Sequence, residues 1–184
     1  MNMIKSELRK LYKQKRNTLT PSEKEKLEEN IYQQIFELKN DNIHNVHLFL
    51  SMRKFNEIDM QPVIDFFREK EKRIIVSRCN FENDSLTHFY FEKDAKLELN
   101  KFGVPEPVKA KEAFIKDIDL VFVPMLISDE QNYRVGYGKG FYDRFLSECR
   151  EDTQTIGLNF FSPIKKIEDT HEFDVPLDIV IYPK

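Results

Sequence analysis

The sequence predicts an α/β fold: a single three-layer domain with a mainly parallel sheet, helices on both faces and an N-terminal helical hairpin. Two observations carry this prediction. Segments with apolar residues at helical spacing alternate along the chain with short apolar runs. Several of those runs, residues 120–123 among them, are continuously apolar, as strands covered on both faces must be. No repeat, low-complexity tract or linker interrupts the 184 residues, so 1–184 is read as one domain.

In chain order, Ile4, Leu8, Leu11 and Tyr12 form an apolar stripe that gives a first helix over residues 3–18. Its other face is basic, with Lys5, Arg9, Lys10, Lys13, Lys15 and Arg16 set against Glu7 alone. Thr20, Pro21 and Glu23 make a capping box with proline at the first helical position, which starts a second helix. Leu27, Ile31, Ile35 and Leu38 are its buried side. Residues 46–50 read as a strand with His44 and His47 as its flanks, and residues 51–59 as the loop after it. Asp59 is placed to cap a helix that buries Val63, Ile64, Phe66 and Phe67. Residues 73–77 are the next strand. Residues 86–91 alternate polar and apolar positions, as an exposed or edge strand does. Pro105 and Pro107 make 102–107 a rigid extended turn. Residues 120–123 form a buried strand ended by Pro124, and residues 153–158 and 178–182 are the last two strands. A polar stretch holding His171 and Asp174 separates that final pair.

Composition narrows the function. The formal net charge is −3 at pH 7, without the basic excess of a dedicated nucleic-acid binder. No apolar run approaches membrane-spanning length. The N-terminus is charged at once and lacks a signal-peptide core. Cys79 and Cys149 form no motif and read as reduced thiols of a cytoplasmic protein. The four histidines show no metal-ligand spacing, and no nucleophilic triad is readable.

Three of the five glycines, Gly136, Gly138 and Gly140, fall within five positions. They follow a strand and a polar loop and precede Phe141, Phe145 and Leu146 at helical spacing. Glycines let backbone N–H groups approach a phosphate closely, and the first turn of a helix attracts anions. Arg134 and Lys139 flank the loop with positive charge. Asp143, one turn in, is placed to hold a cation bridging phosphate oxygens. The spacing matches neither the dinucleotide nor the P-loop fingerprint, which would need glycine at Phe141 or Ser/Thr at Gly140. A surface loop that needs positive φ angles is the plainer alternative. Lys5 and Arg9, four apart, suit either a solvated face or an anion. Glu57 suits an ordinary polar loop, and Asp174 and Asp178 flank Pro176 as turn residues would. Phe55 and Phe102 are candidates to stack on a planar ligand. Loops at the carboxyl ends of parallel strands converge, so 51–59, the glycine loop and 159–177 are expected to meet.

Val123 and Pro124, followed by residues 133–146, resemble the signature of the 5-formyltetrahydrofolate cyclo-ligase family. Lys5 and Arg9 resemble its N-terminal Lys-x-x-x-Arg element. Ser51, Met52, Glu57, Ile58 and Asp59 resemble its substrate loop, and residues 103–107 and 173–178 fall in the right order. The resemblance implies an ATP- and Mg²⁺-dependent conversion of 5-formyltetrahydrofolate to 5,10-methenyltetrahydrofolate. The formyl oxygen would be phosphorylated, N10 would attack, and ADP and phosphate would leave. Carried over, Lys5 and Arg9 contact ATP phosphates. Arg134, Val135, Gly136, Tyr137, Gly138, Lys139, Gly140, Phe141 and Tyr142 form the nucleotide loop, and Tyr137 to Phe141 also line the folate. Met52 lies against the substrate and Glu57 bonds the pterin. Asp143 and Asp174, or Asp178 in place of the latter, serve the metal. Lys139, Arg134 and Tyr142 are the implied catalytic residues. Lys139→Ala or Asp143→Ala is expected to cut turnover with the fold intact. The partners implied are small molecules only, with no nucleic acid, no membrane and a monomeric protein. Met125 departs from the family's usual glycine, and the loop from Met52 to Glu57 is longer than usual. A ligand-binding sensor, an RNA-associated protein and a different ATP-dependent transferase are the rival readings.

Overall fold

The computed structural model describes residues 3–101 and 103–184. The chain runs α1 (Lys5–Asn17), α2 (Pro21–Phe36), β1 (Asn45–His47), α3 (Gln61–Glu69), β2 (Arg73–Asn80), β3 (Ser85–Tyr90), β4 (Leu97–Leu99), β5 (Pro105–Pro107), β6 (Leu120–Pro124), β7 (Ile127–Ser128), β8 (Arg134–Val135), α4 (Phe141–Glu148), β9 (Gln154–Leu158) and β10 (Ile179–Ile181). Six strands make one sheet in the order β10-β9-β6-β1-β2-β3. All neighbours in it are parallel except β3, which pairs antiparallel to β2 at the edge. Residues 86–91 take the edge place expected of them, but their burial does not alternate: Leu86 and Thr87 are half-buried while His88, Phe89 and Tyr90 are buried, because residues 111–113 run alongside. The expected α/β class with a mainly parallel sheet is what the chain adopts.

The unbroken apolar run of β6 has a direct cause. Leu120 and Phe122 point into a core shared with Ile31 and Ile35 of α2 and with Val63, Ile64 and Phe67 of α3. Val121 and Val123 point the other way, into a core shared with Phe145 and Leu146 of α4. Successive side chains of a strand face opposite sides, so a strand between two helical layers needs an apolar residue at every position.

The capping box of α2 forms as its residues suggest: Thr20 N–H donates to Glu23 at 2.8 Å, and Glu23 N–H donates to Thr20 Oγ1 at 3.3 Å. Asp59 acts one residue earlier than expected, accepting from Gln61 N–H at 3.0 Å, while Met60 occupies the cap position of α3. The two N-terminal helices take different partners. Leu8 and Tyr12 of α1 pack on Leu126, Ile127 and Val135 of the β7–β8 hairpin, whereas α2 lies against α3 and β10. Among the described residues no helix is long and apolar enough to cross a membrane.

Two local readings change. The strand expected over 46–50 ends at His47, and residues 48–50 continue past the sheet as wall of a cleft. His47 lies within the strand rather than beside it: its ring is buried, with Nε2 2.7 Å from Ser77 Oγ, which sits 3.0 Å from His88 Nδ1. Burial drives His47 well below the ordinary histidine range, so this cluster is neutral at pH 7. Phe102, a candidate to stack on a ligand, lies outside the described residues. Met125 is accommodated by Gly157 on the neighbouring strand. A Cβ there would meet Met125 Cε at 2.2 Å and Leu177 Cδ1 at 2.5 Å, so glycine makes room for the larger residue.

Candidate active site

A cavity of about 790 Å³ opens where β1 and β6 end, at Leu48 and Pro124. This is the carboxyl edge of the parallel strands, where ligands gather in such sheets. Four separate segments bring the expected site residues to it. Lys5 and Arg9 come from α1, and Met52, Phe55 and Glu57 from the loop after β1. Arg134 and residues 136–143 come from β8, the glycine loop and the start of α4, and Asp174 from the stretch before β10. Leu86, Val104, Pro105 and Phe141 add an apolar wall. One side of the cavity is therefore cationic and another apolar, with Glu57 set into it.

Not every expected residue faces the cavity. The Val135 side chain turns away and is buried between α1 and the hairpin, which leaves only its backbone near the loop. Asp178 is held away from the cavity at the start of β9, accepting from Thr155 N–H and Thr155 Oγ1 at 2.8 Å each. Of the two candidate aspartates near Pro176, the structure brings only Asp174 to the cavity. Lys13 also lines it, with Nζ 5.5 Å from the centre of the Tyr137 ring. Lys5, Arg9 and Lys13 recur every four residues, one row on a helix, and that spacing was the signal for Lys13.

The glycines are present for different reasons. Gly138 (φ +97°) and Gly140 (φ +69°, the cap of α4) adopt conformations that side chains rarely take. Gly138 also lies against Arg9: an added Cβ would sit 3.1 Å from Arg9 Cζ, and Arg9 Nε donates to the Gly136 carbonyl at 3.0 Å. Helix α1 thus clasps the loop. Gly136 has neither constraint, because an added Cβ would meet nothing within 4 Å. A side chain there would grow into open space at the cavity wall. Gly136→Ala should therefore leave the thermal midpoint unchanged, and a phosphate held against this backbone would bind several-fold more weakly, checked with ATP by calorimetric titration beside a melt. Unaltered ATP affinity would mean that no ligand approaches this backbone closely.

Two ion pairs organise the polar wall. Arg134 is buried, with Nη2 2.6 Å from Asp143 Oδ1 and Nη1 donating to the Val175 carbonyl at 2.6 Å. The same Asp143 oxygen accepts from Val175 N–H at 3.2 Å, which leaves Oδ2 without a protein partner among the described residues. Lys5 pairs with Asp174, which also accepts from His171 N–H at 2.6 Å. Partial burial works against ionising Asp174, but the hydrogen bonds from Lys5 and His171 outweigh it and hold the carboxyl below its ordinary value.

Among the described residues, no three or more His, Cys, Asp and Glu side chains form a metal cage. Mg²⁺ does not require one, since it keeps several waters and takes one or two carboxylates together with substrate phosphates. Asp143, with an uncommitted oxygen, and Asp174 fit such a site.

Glu57 is only 4% exposed. Its carboxylate accepts the Tyr137 hydroxyl at 2.5 Å and Met52 N–H at 2.7 Å. Burial raises its pKa, and these two donors oppose the rise. The longer loop before it is ordered by one 3₁₀ turn over Arg53–Phe55, closed by Asn56 in the left-handed region at φ +49°. The Asn56 side-chain amide donates to the Arg16 carbonyl at 2.9 Å. Phe55 packs on Tyr137 with ring centres 5.2 Å apart, so it lines the cavity as part of an aromatic pair. Burial pushes the Tyr142 hydroxyl well above its ordinary range, which keeps it a neutral donor at the cavity wall.

Fold and site together define an α/β enzyme whose cleft is cationic on one side and apolar on another. The sequence profile of the 5-formyltetrahydrofolate cyclo-ligase family matches residues 2–183. The chain belongs to that family of ligases. A probable 5-formyltetrahydrofolate cyclo-ligase of Schizosaccharomyces pombe is 31% identical over 107 residues, 56% of this chain and 52% of that protein, so the match spans about half of each. The 5-formyltetrahydrofolate cyclo-ligase of Mycoplasma genitalium is 28% identical over 96% of both chains. Among solved structures, the 5,10-methenyltetrahydrofolate synthetase of Aquifex aeolicus superposes with a TM-score of 0.81 at 28% identity, covering 97% of this chain and 89% of that one.

Proposed function

We propose that this protein cyclises 5-formyltetrahydrofolate to 5,10-methenyltetrahydrofolate at the expense of ATP. The observation that carries the proposal is the meeting of the α1 cations, the glycine loop and buried Glu57 around one cavity. A formamide oxygen is a poor leaving group. Transfer of the γ-phosphoryl group to it releases ADP and creates a phosphate leaving group on the formyl carbon. N10 then attacks that carbon, phosphate departs, and N10 loses its proton. These steps need positioning and charge neutralisation and no protein nucleophile.

Lys5, Arg9 and Lys139 would meet the phosphates, with Gly136 giving the backbone close access. Arg134 holds Asp143 in place beside them. Mg²⁺ bound by Asp143 and Asp174 would offset charge on the phosphate oxygens. Glu57 would accept from the N–H edge of the pterin, with Met52 and Phe55 against its ring. The proposal takes the protein to be a cytoplasmic monomer that serves small-molecule substrates, with no nucleic-acid or membrane partner.

The test is the absorbance of the methenyl product when the protein meets 5-formyltetrahydrofolate with and without MgATP. An ATP-dependent rise is expected. No rise with ATP still bound would point to another acceptor or a sensor. No rise and no ATP binding would return the glycine loop to an ordinary surface turn.

A further inference from the structure

Arg16 ends the basic face of α1 in sequence, yet it is 4% exposed. Its Nη2 donates to the Met125 carbonyl and its Nη1 to the Tyr137 hydroxyl, the latter at 2.9 Å. None of the ion pairs among the described residues includes it. A buried cation without a counter-ion is costly. Glu57 is the converse case, a buried carboxylate that pairs with no cation among the described residues. The Tyr137 hydroxyl lies between the two. Arginine can only donate, so Tyr137 must accept from Arg16 and spend its single proton on Glu57. The order of the relay is thereby fixed, and with it the role of Glu57 as an acceptor.

We propose that Arg16 is a positioning residue for the substrate: through Tyr137 it fixes the Glu57 carboxylate as an acceptor-only group at the cavity wall. A carboxylate offers about four acceptor sites, and Tyr137 and Met52 take one each. The remainder suit a heterocycle edge that presents adjacent N–H donors. The same guanidinium holds the Met125 carbonyl, so the relay to the Glu57 carboxylate is fixed against the end of β6. This inference rests on reading Glu57 as the group that holds the folate.

Arg16→Gln, Tyr137→Phe and the double variant should be compared for KM towards 5-formyltetrahydrofolate and towards ATP. Arg16→Gln is expected to raise the folate KM about ten-fold, the usual effect of losing a hydrogen bond to a charged group. Its ATP KM should not move, which a general loss of structure would not allow. The double variant should be no worse than the more damaged single one, because both changes cut the same relay. Additive effects, or equal rises in both KM values, would overturn the proposal. If Arg16→Gln does not fold, Tyr137→Phe decides, since it keeps the ring packed on Phe55: an unchanged folate KM would overturn the relay. Glu57→Gln keeps the two failures apart. A silent Glu57→Gln sinks the folate-carboxylate reading itself, whereas a damaging one with silent Arg16 and Tyr137 variants sinks only the relay.

Discussion

Lys139→Ala is expected to lower kcat by about 10²–10³-fold, the usual effect of removing one group that stabilises transition-state charge. The thermal midpoint should stay where it is. The Lys139 side chain is exposed between two glycines at the cavity wall, and no ion pair among the described residues uses it. Its backbone carbonyl, by contrast, accepts from Arg144 Nη2 at 2.7 Å, which holds the loop whatever the side chain is. Near-wild-type kcat in this variant would remove Lys139 from the phosphate site. Asp143 behaves differently, and the expectation that Asp143→Ala leaves the fold intact is corrected by its contacts. It carries the ion pair to buried Arg134 and accepts from Val175 N–H. Leaving such a guanidinium unpaired costs roughly 3–5 kcal/mol, so turnover and stability fall together in that variant. Asp143→Asn keeps an acceptor towards Arg134 and separates the two effects.

Glu57→Gln is expected to raise the KM for 5-formyltetrahydrofolate by about ten- to a hundred-fold, because hydrogen bonds to a charged group are worth ~1.5–3 kcal/mol. The ATP KM should change little. Steady-state kinetics with each substrate varied in turn would check this, and an unchanged folate KM would remove Glu57 from the substrate site. The wild-type protein gives a second test through pH. Burial raises the Glu57 pKa, so the folded state holds that proton more tightly than the unfolded chain. The Glu57 contribution to stability is therefore present below the ordinary glutamate value of about 4.3 and is lost as pH rises through the raised one. Folate binding through the carboxylate has the opposite sign, growing across that window. Chemical denaturation of wild type and Glu57→Gln, set beside folate titrations of the wild type at the same pH values, would expose the crossing trends.

Much of this molecule is legible along the chain. Thr20 and Glu23 meet in a capping box because both partners lie within one helical turn. Residues 120–123 declare a strand between two apolar layers. Gly138 and Gly140 mark a loop that enters a helix with positive φ angles. Lys5 and Arg9 share a face of α1 by spacing alone.

Arg16 shows where local pattern stops. The basic face of α1 suggests a solvated row, yet Leu8, Tyr12 and Arg16 recur every four residues, so Arg16 continues the buried stripe. Nothing local says that a cation at its end would find Tyr137 and Glu57, which lie 121 and 41 residues away. The same holds for Asp143 and Asp174, whose partners Arg134 and Lys5 are assigned by packing, and for Asp178, which Thr155 holds at the start of β9. Local signals determined the elements, their order and the glycine loop, since helix periodicity, strand alternation, capping and backbone φ each depend on residues within about one turn. Tertiary packing decided which charges face the cavity and which pair beneath it. Burial and the choice of counter-ion are properties of three-dimensional neighbours, and residues distant in sequence become neighbours only when the sheet closes.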